Sequence, residues 1–104
     1  MPEDIVQTMV KRIVARFRPL RIVLFGSRAR GEAGKWSDVD LLVVLPEVAD
    51  KRKATVEILR ALGDLPVSKD VIVTTPDEIA RRGHIIGGVL RAALKEGKVV
   101  YERS

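Results

Sequence analysis

The chain has 104 residues, 46% of them hydrophobic, a size that allows one buried core and leaves too little for two, so residues 1–104 are expected to form one domain. There is no cysteine and only one histidine, His84, which excludes disulfides, thiol catalysis and zinc ribbons and leaves a histidine triad little to work with. The formal charge of +5 suits an anionic ligand such as ATP or RNA, and equally a well-solvated basic surface.

Ile5, Val6, Met9, Val10, Ile13 and Phe17 recur at helical spacing between charged residues, predicting an amphipathic helix that ends before Pro19. The opening Met1-Pro2-Glu3-Asp4 is acidic and leads into that stretch, unlike a signal peptide. No apolar run approaches the ~18 residues of a membrane span, so the expectation is a cytoplasmic protein. Arg21 to Phe25 reads as a buried strand, stopped by Gly26-Ser27. A loop rich in glycine and arginine follows to Trp36, then a second strand from Asp38 to Leu45 closed by Pro46. A helix is expected from about Val48 to Leu62 and, after Gly63 and Pro66, a third strand over Asp70 to Val73. Thr75-Pro76-Asp77-Glu78 has the composition of a helix start, with Thr75 as cap and Glu78 completing a capping box. Gly83 and Gly87-Gly88 divide the next stretch into a short helix and another ending near Glu96-Gly97, and Lys98 to Tyr101 forms a closing strand. The expected fold class is α/β (α+β), about four strands in one sheet backed by helices.

The chemistry concentrates between residues 25 and 44. Asp38 and Asp40 are two apart on a strand and so share a face, with Val39 on the other. Aspartate is depleted in strands, and two on one face repel unless one keeps its proton or a cation lies between them. Magnesium, commonly held by one or two carboxylates plus substrate phosphates, suits such a pair. Gly26 lets backbone approach a phosphate closely, the N–H groups and the Ser27 hydroxyl make an anion cradle, and Arg28, Arg30 and Lys35 lie in the same loop. Of the arginines, Arg30 is preferred as the phosphate ligand. Trp36 reads as a packing residue that braces the loop. Two other phosphate loops fail. Gly31 is followed by Glu32 and Gly34-Lys35 by Trp36, so there is no P-loop, and glycines 26, 31 and 34 do not make the dinucleotide fingerprint.

Gly26-Ser27, ten residues, then Asp38-x-Asp40 resembles the signature of the minimal nucleotidyltransferases of the DNA polymerase β-like superfamily. The finer pattern Gly-Ser-x-Ala-Arg-Gly and Ser-Asp-x-Asp-Leu is matched from Gly26 to Gly31 and from Ser37 to Leu41. The resemblance implies a nucleotidyltransferase fold with a mixed sheet, ATP as substrate, and Mg2+ held by Asp38, Asp40 and a third carboxylate, Asp70, that helps activate the attacking hydroxyl. Gly26, Ser27 and Arg30 would then hold the nucleotide. Asp70 has two plainer readings, capping the turn after Pro66 or pairing with Lys69, and Asp64 and Asp77 are the next nearest substitutes for it. Domains of this family are often encoded beside a helical protein of the HEPN type, and some act as antitoxins by transferring AMP to that partner. A HEPN-type protein is therefore the expected partner, with RNA as a second candidate and no membrane. The alternative is a non-catalytic module that binds nucleotide or masks a partner.

Overall fold

In the computed structural model, which describes residues 2–26, 38–85 and 88–103, eight elements follow in the order helix, strand, strand, helix, strand, helix, helix, strand. Helix α1 (Pro2–Phe17) turns Met9 and Ile13 fully into the core, as the spacing requires. It ends where Arg18 takes the left-handed conformation (φ 50) while donating its N–H to Val14 O (3.2 Å). Pro19 excludes a further helical turn, because the residue before a proline is disfavoured in the α region.

Strand β1 (Arg21–Phe25) lies as expected, and β2 (Val39–Val44) begins one residue later than the sequence suggests. Helix α2 (Lys51–Ala61) starts three residues after Val48 because Asp50, extended at φ −140, caps it by accepting from Lys53 N (3.1 Å). Strand β3 (Lys69–Thr74), helix α3 (Pro76–Arg82), helix α4 (Val89–Glu96) and strand β4 (Lys98–Glu102) complete the chain order.

The four strands form one mixed sheet in the order β3-β2-β1-β4. β1 is antiparallel to both β2 and β4, and β2 is parallel to β3. That parallel pair needs a crossover, which α2 supplies. Alternation along β2 splits the core in two. Val39, Leu41 and Val43 pack with Met9, Ile13, Ile58 and Leu62 under α1 and α2. Leu42 and Val44 pack with Val23, Leu90 and Ala93 under α4, joined by Ile79 of α3. Each fully buried aliphatic side chain contributes ~1.5–3 kcal/mol, so the two layers together hold the sheet between the helices. Arg12 ties α1 to the end of α2 by donating to Ala61 O (3.0 Å) and, through both terminal nitrogens, to the Asp64 carboxylate. No helix of the described residues is long and apolar enough to cross a membrane.

Candidate active site

Strand polarity gathers the chemistry at one rim of the sheet. Gly26 follows the C-terminal end of β1, while Asp40 and Asp70 each stand second from the N-terminal end of β2 and β3. In register, Phe25 pairs with Asp40 and Asp40 pairs with Asp70. Partner residues on parallel neighbours share a face at the ~4.8 Å strand spacing, so both carboxylates leave the sheet on the α3/α4 side within reach of one ligand. Asp38 lies just outside the strand that was expected to carry it. Ladder bonding starts with Val39, whose N–H donates to Ser68 O (2.9 Å), and Asp38 beyond it is exposed.

Gly26 is required twice over. Its φ of +76 is a conformation side chains rarely adopt, and an added Cβ would lie 2.3 Å from Asp40 Oδ2. The close approach is therefore made first of all to the Asp40 carboxylate.

Neither plainer reading of Asp70 holds. Lys69 Nζ donates to Leu65 O (3.1 Å), and the exposed Asp70 carboxylate makes no hydrogen bond or ion pair among the described residues. The substitutes are engaged elsewhere. Asp64 is bound by Arg12, whose hydrogen bond holds its carboxyl below the usual range, and Asp77 pairs with Arg81 (3.0 Å) along α3. Ser27, Arg28, Arg30, Lys35, Trp36 and Ser37 lie outside the described residues. Among the described residues no three acidic or histidine side chains form a ready-made cation cluster. The in-register Asp40 and Asp70 nonetheless offer oxygen donors alone, the set that suits a hard cation completed by substrate phosphates.

One polar cluster escapes the sequence reading. Thr75 caps α3 as expected, accepting from Glu78 N (3.2 Å), but the Glu78 carboxylate does not close a capping box. It is taken by the Thr74 hydroxyl, which donates to Oε1 (2.6 Å), and by Lys51 Nζ, which donates to Oε2 (2.6 Å). Thr74 is fully buried, so its hydroxyl needs a partner within the protein. Lys51 first, then Thr74, hold the Glu78 carboxyl below the usual range. The only advance sign of this cluster is a threonine at an inward position of β3. His84 is exposed, and Tyr101, paired with Ile22 near the end of β1 opposite Gly26, packs at the margin of the α1/α2 core.

Residues 6–100 match the family of the nucleotidyltransferase domain. The chain belongs to that family. Its activity class is therefore nucleotidyl transfer. Among solved structures, a provisionally assigned nucleotidyltransferase from Sulfolobus solfataricus superposes with a TM-score of 0.67 at 22% identity, over 96% of this chain and 79% of that one. A toxin–antitoxin crystal structure with AMP-PNP superposes at 0.54 and 17% identity, over 93% of this chain and 73% of that one. These likenesses show the nucleotidyltransferase fold, with its mixed sheet and flanking helices. No curated protein matches the chain.

Proposed function

We propose that this nucleotidyltransferase domain transfers AMP from ATP to a hydroxyl of a partner protein, a HEPN-type toxin, and so serves as its antitoxin. The observation that carries the reading is the Asp40–Asp70 register pair, with Gly26 packed against the Asp40 carboxylate at the same rim. The solved toxin–antitoxin neighbour, which holds an ATP analogue, supports both the nucleotide and the class of partner.

Asp38, Asp40 and Asp70 would hold Mg2+, and Gly26, Ser27 and Arg30 would hold the triphosphate. When bound, the cation neutralises charge on the phosphate oxygens. Asp70, on the outermost of the three strands, accepts the proton of the attacking hydroxyl. The hydroxyl oxygen bonds to the α-phosphorus, the bond to the bridging oxygen breaks, and pyrophosphate leaves. The rest of the barrier is lowered by positioning, with reactants held in line and water excluded. In this reading the acceptor's own protein completes the enclosure.

Two measurements test this. Mg2+ and ATP together, at ~100-fold over Kd, should raise the melting temperature by ~10–20 °C, and neither alone should do so. Intact-mass spectrometry after incubation with the partner should show the partner gaining the mass of an AMP residue. An unmodified partner beside an RNA 3′ end extended by AMP would refute the protein acceptor. Firm Mg·ATP binding with no product of any kind would leave a binding module in place of an enzyme.

A further inference from the structure

Between α3, α4 and the β3 edge lies a cavity of about 240 Å3, lined by Lys51, Ile72, Glu78, Arg82, Ile85 and Leu90. Ile72 stands on the same face of β3 as Asp70 and two residues further along, about 6.6 Å at ~3.3 Å per residue. The floor is apolar, formed by Ile72 and Leu90, and Ile85 at the mouth is 48% exposed. Lys51 is committed to Glu78, whereas the exposed Arg82 guanidinium feels the Glu78 carboxylate only through charge attraction and has no side-chain hydrogen bond or ion pair among the described residues, which leaves the lining with one net positive charge. The cavity is smaller than the ~300–1,000 Å3 that encloses a whole small-molecule ligand, and better sized for an anchoring side chain of a larger partner.

We propose that this cavity is the docking subsite for the acceptor segment, an acidic peptide whose apolar side chain enters between Ile72, Ile85 and Leu90 while its carboxylate meets Arg82. The inference rests on the reading of Asp70 as the group facing the acceptor hydroxyl, and it adds what the acceptor must look like. In an extended segment running along β3, the anchor sits about two residues from the modified hydroxyl, matching the spacing of Ile72 from Asp70. The positive charge is supplied by Arg82 on a chain of net charge +5, so a basic segment is disfavoured.

The test uses the full chain and three fluorescein-labelled peptides: Glu-Asp-Leu-Gly-Tyr-Glu, the same peptide with serine for leucine, and the same peptide with lysine for each acid. Fluorescence anisotropy should show the first binding at least about tenfold more tightly than the other two. Arg82→Glu and Ile85→Asp, both at exposed positions, should each erase that preference, and Arg82→Glu should favour the lysine peptide. Both variants should keep the Mg·ATP melting shift. Wild-type chain that discriminates none of the peptides, or variants that bind as wild type does, would overturn the proposal. A single-stranded RNA hexamer that binds in place of the peptide and is lost in both variants would overturn it too, as a nucleic-acid subsite. Absence of the Mg·ATP shift in wild type would refute the transfer reading, whereas its presence without peptide preference refutes the docking subsite alone.

Discussion

Gly26→Ala should separate the stability of the fold from the competence of the rim. The added Cβ meets Asp40 Oδ2 at 2.3 Å and Asp40 Cγ at 3.2 Å, and the backbone must keep φ +76. Holding a non-glycine residue in that conformation costs ~1–2 kcal/mol, a fall of ~5–15 °C in melting temperature for a chain of this size. The steric clash itself adds little, because a carboxylate at the end of a side chain can rotate away. That rotation removes Asp40 from the position in which it faces Asp70. If the affinity for Mg·ATP falls ~100-fold, stabilisation at saturating ligand drops from ~2.7 to ~0.4 kcal/mol. Gly97→Ala is the control, since its Cβ meets the rigid Ala93 carbonyl and Val23 Cγ1, and the Asp40 carboxylate is not among its nearest atoms. It should cost ~1–3 kcal/mol of stability by overpacking and leave the Mg·ATP shift whole. Thermal melts of both variants with EDTA and with Mg·ATP decide the matter. A Gly26→Ala protein that melts lower but retains the full ligand shift would refute the role given to the Asp40 carboxylate.

Asp38→Asn or Asp40→Asn should remove magnesium-dependent nucleotide binding in calorimetry and abolish transfer, because an amide supplies no anionic ligand. Asp70→Asn should lower turnover far more than ATP affinity, which single-turnover kinetics beside equilibrium binding would show. Acid melts should expose Glu78, whose carboxyl is held low in the folded state by Lys51 and Thr74. Its stabilisation is present above the ordinary glutamate value of ~4.3 and is lost as pH falls through the lowered one, so Glu78→Gln should flatten that part of the pH–stability curve. Thr74→Val should cost about 1 kcal/mol at neutral pH and narrow the same acid transition.

Local pattern located the elements well and their ends less well. Arg21–Phe25 coincides with β1 because its apolar run is bounded on both sides, by Pro19 and by Gly26. The start of α2 was misplaced because Val48 fits the apolar stripe, whereas the cap that sets the boundary is Asp50. Asp38 and Asp40 were legible as a same-face pair, yet only Asp40 lies inside the ladder, since bonding starts where β3 begins. The pairing of Asp40 with Asp70 joins positions thirty residues apart and depends on how α2 returns the chain, which no local window contains. For the same reason the fates of Asp64 and Asp77, one on Arg12 and the other on Arg81, became readable only in three dimensions. The Glu78 cluster was hidden because a capping box and a bond to a buried hydroxyl use the same residues.

The alternation along β2 has a consequence for how this chain tolerates errors. Val39, Leu41 and Val43 enter one core while Asp40 heads the face that Leu42 and Val44 bury in the other, so a single inserted or deleted residue would turn the Asp40 carboxylate into the α1/α2 core and exchange the aliphatic sets of two differently shaped cores. Such a chain loses its core together with its rim. It would be cleared by proteolysis as unfolded protein instead of persisting as a folded but inert copy that occupies a partner. Point substitutions at the carboxylates are the complementary route, because they spare the core. Inactive forms that still fold, and still compete for a partner, should therefore arise by exchange of Asp38, Asp40 or Asp70 and not by any change in the length of the strand that presents them.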